Sequence, residues 1–473
     1  MIFSSYLFIF AFLPIVFAGF SVLRGLKKRY LSKVWLVGAS LLFYGIGQPD
    51  FLGVFLASIV VNYLLLKAIN ALKNRFGRGF FLLIAVLWNI GLLGYFKYMN
   101  FFLENINRAF HTAFPFMDIL LPIGISFFTF QILAFTISLF RKEVRMPNLL
   151  DYMLYVTFFP QLIVGPVVKH EELMPQIEED RFMVFRPENI CKGTLLFSVG
   201  CAKKILIANP LIDYAVGFYG GSVAGASVIE TWCGVMCYVF AYYFDFSGYI
   251  DMARGLGYLF GIELPVNFES PYKATDFGDF WRKWNITISR FFYESIYDNI
   301  FRFGDGYFKL LIAVMATFLV SGLWHGAGWH FVAWGAVNGV LVYVAAIRTI
   351  KRRKGLPKGL AIFLTFFIGA VIRVLFDSKD LIQAGQVYKK MFDVRAFSGF
   401  GNLWDTLISF GSENLFIIVL LAVSAFICFA LPNSNRISHI RVFKFKHAAA
   451  AGALLAVSIM YMTKVSAFLY FNF

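Results

Sequence analysis

Runs of about 18–20 apolar residues recur from one end of this chain to the other, and nothing else constrains its fold as strongly. As a helix, such a run crosses a hydrocarbon core of ~30 Å. Lipid offers no partner for backbone N–H and C=O groups, so the runs have to be helices. The composition agrees: 59% of residues are hydrophobic and 15% charged, against roughly 25% charged in a soluble domain. That overrides the ~3 soluble domains which length alone suggests. The predicted fold is an all-α polytopic membrane protein. Candidate spans run over 3–22, 34–47, 51–68, 79–96, 118–140, 192–209, 228–244, 308–323, 329–347, 360–376, 413–431 and 449–469.

A net charge of +16 would suggest nucleic acid in a soluble protein. Here the cations cluster in short connections, at 24–33, 73–78, 141–145, 348–358 and 436–446. That is the positive-inside pattern, and it points to a membrane surface rather than a nucleic acid. Two spans separate the first cluster from the second, the second from the third, and the fourth from the fifth. A topology with both termini outside fits all five. The first twenty residues lack a positive n-region and a small-residue cleavage site, so they read as a span and not as a removed signal. The odd set of five cysteines reads as buried thiols. Cys233 and Cys237 share a helical face but have no His or carboxylate at ligand spacing, and no metal is expected.

Two regions resist the simple span pattern. In FFPQLIVGPVVKHEELMPQIEEDRF (158–182), Pro160, Gly165 and Pro166 interrupt an apolar run too short to cross. A broken or re-entrant segment leading into an amphipathic stretch follows. Block 241–307 carries Asp245, Asp251, Arg254, Glu263, Asp276, Asp279, Arg282 and Lys283 among aromatics and glycines. These groups have to face protein, water or headgroups. No internal repeat is visible, which argues against a transporter built from inverted repeats.

SGLWHGAGWH (321–330) places an ionisable side chain, His325, between two apolar runs. An imidazole inside a membrane is a functional candidate, and it titrates where a general base for acyl transfer should. Gly322, Gly326 and Gly328 admit another backbone or a ligand, and Trp324 and Trp329 offer flat apolar walls. A structural histidine at a hairpin end is the alternative. Asn285 lies 40 positions earlier (325 − 285) in DFWRKWNITISRFF, where an amide could orient an imidazole or donate to an oxyanion, or simply cap a helix. The sequon it heads is discounted as a chance match. Arg282 and Lys283 could hold donor phosphates or reach to a headgroup layer.

Together these stretches resemble the membrane-bound O-acyltransferase family. The motifs are SGLWHG, DFWRKWNITISRF, LPIGISFFTFQ (121–131), FFPQLIVGPVVKHEEL (158–173) and DFSGYIDMARGLGYLFGIELPVNFESPY (245–272). More narrowly, the chain is similar to the bacterial branch that acetylates alginate and peptidoglycan. The resemblance implies one membrane domain over 1–473: N-terminal helices 1–117, a signature core 118–347, and C-terminal helices 348–473 ending in a tyrosine motif. It also implies a ring of tilted helices around a tunnel with re-entrant segments, in which a cytoplasmic thioester meets an outer acceptor. His325 matches the family histidine. Trp281, Arg282, Trp284, Ser321, Trp324 and Gly326 match positions along the acyl-donor tunnel. The alginate-type pattern carries a second histidine where this chain has Asn285, yet the wider family pairs an asparagine with the downstream histidine at about this separation.

The last residues, SAFLYFNF (466–473), read as an aromatic belt at the membrane surface. The resemblance adds a sharper role, with Tyr470 in FLYF as a covalent acyl carrier whose phenol proton goes to His325. The expected enzyme is an acyltransferase with no tightly bound cofactor and acetyl-CoA as donor substrate. It would sit in a bacterial inner membrane among lipids and work with a periplasmic SGNH-type acetyltransferase, since no such Ser-His-Asp module is present here. Rivals are D-alanyl transfer to teichoic acid and, in another class, a flippase using Asp245, Asp251 and Arg254 as a relay.

Overall fold

A computed structural model describes the backbone of residues 1–221, 223–302, 304–393, 400–462 and 469, and the side chains of these apart from 181 and 400–406. Among the described residues there is no β-strand, only an isolated antiparallel bridge between Phe268 and Trp284. Eight helices among the described residues are long and apolar enough to cross a bilayer. The count is nine if Leu407–Glu413 and Leu415–Phe429, bent by 89°, form one span.

Among the described residues three of the twelve expected spans fall short on length or polarity, the last of them, 449–469, including residues 463–468 that lie outside the described ones. Residues 118–124 are not helical, and the helix that follows, Ile125–Arg141, has 17 residues. Helix Val228–Leu259 runs for 32 residues but carries Glu230, Asp245, Asp251 and Arg254. Helix Phe445–Met460 has 16 residues. The cause is common to the first two. An apolar run facing protein looks the same in sequence as one facing lipid, and Ile125–Arg141 is buried nearly all round. The basic clusters do fall where successive helices join, as at Lys27–Lys28, Lys73–Arg75 and Lys351–Lys354.

The chain divides into two compact units. The first comprises Met1–Cys201, Tyr249–Pro265 and Ile437–Ala467. Its core is aromatic: Phe8 and Phe12 pack on Phe43, and Phe159 fits edge-on against Phe12 with ring centroids 5.4 Å apart. Polar pairs join its helices inside the apolar medium. Asn62 and Asn89, both buried, exchange amide bonds of 3.3 and 2.7 Å between Leu52–Ala71 and Arg75–Leu93. Such pairs hold helices that have no hydrophobic drive to associate in lipid.

The expected break lies in this unit. Helix Leu149–Thr157 stops, one turn follows at Phe159–Leu162, and non-helical backbone leads to His170–Glu178. Residues 154–168 are all buried, so their polar backbone needs internal partners. Side chains supply them. Gln131 and Gln161 each donate to the Tyr155 carbonyl at 2.8 Å, Tyr155 Oη donates to Val168 O at 3.1 Å, and Phe159 N–H donates to Ser40 Oγ at 3.1 Å. Helix His170–Glu178 is then amphipathic, with Leu173, Met174 and Ile177 buried and Glu171 and Glu178 exposed.

The second unit comprises Ala202–Gly248, Val266–Arg436 and Phe468–Phe473. Its spine is a hairpin of helices Tyr307–His325 and Trp329–Ile350. They touch backbone to backbone: a Cβ at Gly322 would lie 2.4 Å from Phe331 O, and one at Gly335 would lie 2.4 Å from Phe318 O. Helix Lys358–Asp377 packs on the second arm.

Candidate active site

His325 ends helix Tyr307–His325 and is 5% exposed. Gly326 follows in extended backbone, so the histidine sits where the helix stops. The hairpin explains two of its glycines. Gly322 admits the Phe331 carbonyl, and Gly326 admits the Phe331 ring, 2.0 Å from where a Cβ would stand. What approaches closely is the partner helix of the same chain.

Among the described residues, Trp324, Trp334 and Phe376 bracket the imidazole. Trp324 lies at 4.6 Å between centroids, and Trp334 and Phe376 each lie at 4.9 Å, tilted by 84° and 75°. Trp324 and Trp334 are buried, whereas Trp329 is 52% exposed. Ser321, one turn before His325 on the same face, is also buried.

The cage extends to the other motif. Trp281 meets Trp334 edge-on at 5.6 Å, and its Nε1 donates to Asn338 Oδ1 at 3.3 Å. Phe376 packs on Tyr242 at 5.6 Å, and Tyr242 stacks on Trp284 at 6.0 Å with planes 11° apart. Trp281, Trp284, Trp324 and His325 therefore belong to one packed cluster, which Gly326 joins through the Phe331 ring against Phe376. Arg282 departs from it: its side chain is 71% exposed and lies 3.7 Å from Asp279, whose other oxygen takes Lys283 Nζ at 2.8 Å. Exposure and an acidic partner both weaken the expected grip on donor phosphates.

Asn285 follows Trp284 and is buried. It occupies the N-cap position of Ile286–Phe292, but its side chain makes no cap bond. The backbone is left-handed, φ 45° and ψ 53°, a region that asparagine tolerates better than most residues. Its Oδ1 accepts from Asn267 Nδ2 at 3.0 Å. Asn267 in turn holds the helix start, its Oδ1 accepting from Thr287 N–H at 2.9 Å and from Thr287 Oγ1 at 3.0 Å. Ile286 N–H donates to Asn267 O, and Glu269 N–H to Lys283 O. Two short segments, 267–269 and 283–287, are thus clamped side by side with Asn285 between them.

Two functional candidates escaped the sequence reading. Arg373 lies with its Cζ 3.7 Å from the Tyr242 ring centroid and 4.3 Å from that of Phe376, and its Nε donates to Asp377 at 2.9 Å. The Asp377 side chain is fully buried and that of Arg373 is 13% exposed. The available signal was an Arg and an Asp four positions apart in AIFLTFFIGAVIRVLFD, a spacing that stacks them on one helix face within an apolar run.

Tyr470 lies outside the described residues. Leu469 before it is described and buried, and its N–H donates to Asp245 Oδ2 at 2.9 Å. Of the other relay candidates, Asp251 and Arg254 are buried in the first unit, where Arg254 Nε donates to Leu264 O at 3.3 Å.

The pattern that defines the membrane-bound O-acyltransferase (MBOAT) family matches residues 81–353. The chain is 34% identical to a peptidoglycan O-acetyltransferase of Helicobacter pylori, over all of this chain and 98% of that protein. It is 33% identical to a protein of Pseudomonas aeruginosa named "Probable alginate O-acetylase AlgI", over 83% of this chain and 75% of that one. A teichoic acid D-alanyltransferase of Streptococcus thermophilus is 24% identical over 52% of this chain and 65% of its own length.

Proposed function

The chain belongs to the membrane-bound O-acyltransferase family and is an acyltransferase, and from that premise we propose which group it moves and between which partners. It takes acetyl from a cytoplasmic thioester, acetyl-CoA, and passes it outward for O-acetylation of a cell-envelope polysaccharide. A peptidoglycan-like acceptor is favoured over an alginate-like one, because the peptidoglycan-acetylating relative is matched along nearly its whole length. D-alanyl transfer has weaker support, from a relative matched over 52% of this chain.

One observation carries the mechanistic reading: His325 is held at a helix end inside a ring of Trp324, Trp334 and Phe376. Rigid walls fix an imidazole in the orientation that proton transfer demands. In the proposed reaction His325 removes the Tyr470 phenol proton as the phenol oxygen attacks the thioester carbonyl. The C–S bond breaks, and the departing thiolate takes the proton back from His325. In the second half a hydroxyl attacks the tyrosyl ester while His325 takes its proton. The ester bond to the phenol oxygen breaks, and that oxygen receives the proton. A phenol with a pKa of about 10 needs such a base. Asn285 orients the site or steadies the oxyanion.

The basic clusters at helix joints support a cytoplasmic side for those joints and, across the first span Phe8–Gly25, an outward placement of the N-terminus in an inner membrane. We assign the whole chain to one catalytic domain that hands its acetyl group to a periplasmic SGNH-type partner. The test incubates purified wild type, His325→Ala and Tyr470→Phe with acetyl-CoA and follows the 466–473 peptide by mass spectrometry. Acetyl on Tyr470 in wild type alone is the expected result. Its absence from all three proteins overturns the carrier role.

A further inference from the structure

We propose that the buried Lys204–Asp245 pair anchors the C-terminal segment at Leu469 and so positions Tyr470 for acyl transfer. The proposal rests on the carrier reading above. Lys204 Nζ lies 2.5 Å from Asp245 Oδ1, with the two side chains 2% and 1% exposed. Lys204 is carried by the π-helical turn Lys203–Ala208, a type of distortion that often re-aims a functional side chain. Asp245 sits midway along helix Val228–Leu259.

A buried carboxylate is stabilised by its cation, but it has a second oxygen to satisfy. Here that oxygen accepts the main-chain N–H of Leu469, 224 positions further along the chain. Leu469 is itself 2% exposed. A charge-assisted bond of this kind contributes more than a neutral one, and it holds the main chain whatever side chain Leu469 bears. It therefore sets register. The next Cα follows at ~3.8 Å across the peptide, so fixing Leu469 limits where the phenol of Tyr470 can reach. Asp245 acts through the main chain and touches no reacting atom, which makes it a positioning residue. Lys204 supports it by holding the carboxylate in orientation.

The test uses the full chain in detergent and compares wild type with Asp245→Ala, Leu469→Pro and the double variant Lys204→Met/Asp245→Asn. Leu469→Pro deletes the N–H donor without touching the helices. The double variant removes both charges and keeps an amide oxygen for Leu469. Hydrogen exchange of the C-terminal peptide reports the anchor, and the initial rate of acetyl appearance on Tyr470 reports its consequence. Asp245→Ala should speed exchange and slow acetylation by about ten- to a hundredfold each, Leu469→Pro should slow acetylation as much, and the double variant should stay within about threefold of wild type.

Unchanged exchange and acetylation in Asp245→Ala and Leu469→Pro would overturn the anchor. So would a double variant as impaired as Asp245→Ala, because keeping an acceptor for the Leu469 N–H would then make no difference. If wild type gains no acetyl on Tyr470, the carrier reading and the positioning role both fall, while exchange still decides whether Asp245 holds Leu469. If Asp245→Ala does not fold, Leu469→Pro and the double variant carry the comparison.

Discussion

Trp334 stands nearly perpendicular to the imidazole of His325, with ring centroids 4.9 Å apart and planes at 84°. The contact joins the two arms of the glycine-packed hairpin, and Trp334 also meets Trp281 of the other motif. One indole therefore fixes the histidine and couples it to DFWRKWN.

Trp334→Ala should cost activity by way of His325 placement. Truncating a buried tryptophan destabilises by about 3–5 kcal/mol, and a misplacement near 1 Å costs about a hundredfold in rate. Trp334→Phe preserves a flat ring and should retain most of the rate. Acetyl transfer rates measured beside thermal unfolding separate the two effects, because Trp334→Ala should lose rate even at temperatures where it is fully folded.

Arg373 and Asp377 form a largely buried pair against Phe376 and Tyr242. Removing one partner strands a buried charge, so Asp377→Ala should destabilise the protein by about 3–5 kcal/mol, and replacing both as Arg373→Met/Asp377→Leu should recover most of that loss. Thermal unfolding in detergent of the three variants decides it. Equal losses in the single and double variants would show that shape, not charge, holds this corner.

Asn285 separates a backbone role from an amide role. Its φ of 45° suits glycine, so Asn285→Gly should fold without strain, whereas Asn285→Ala should add about 1–3 kcal/mol. If the amide serves the chemistry, both variants lose acetyl transfer by about a hundredfold, the effect of losing one oxyanion donor. A fully active Asn285→Gly would reduce Asn285 to a conformational residue.

His170, outside the spans, packs on Phe135 at 4.8 Å and on Tyr155 at 5.4 Å. Burial lowers its pKa below the ordinary 6.5, opposed by smaller raising effects of Glu178 and Asp151. A histidine depressed in this way favours the folded state least when protonated. Its contribution is fully present above 6.5 and is lost as pH falls through that value toward the lower folded one. His170→Phe should keep the ring contacts and flatten the decline of thermal stability on that acid side. An unchanged decline would assign the acid sensitivity to other groups.

How far the sequence reached is clearest at particular residues. The apolar runs, the basic joints and the Pro160–Gly165 break could all be read in advance, because each depends on neighbours close in the chain. His325 and the tryptophans of DFWRKW are legible as candidates because an ionisable group and paired indoles stand out in an apolar background. Arg373 and Asp377 carried a comparable signal in a run that looked like an ordinary span.

By itself, then, the sequence determined the medium, the helical class, the positions of most spans and the motifs that identify an acyltransferase. Solvation and backbone hydrogen bonding decide those matters locally. Only the tertiary structure decided which apolar faces meet protein instead of lipid, as in Ile125–Arg141. It alone set Phe376 and Trp334 around His325, and Asn267 against Asn285. It alone brought Leu469 to a carboxylate 224 positions away. Such contacts depend on how close-packed helices interdigitate, and residues far apart in the chain carry no local sign of the partner they will meet.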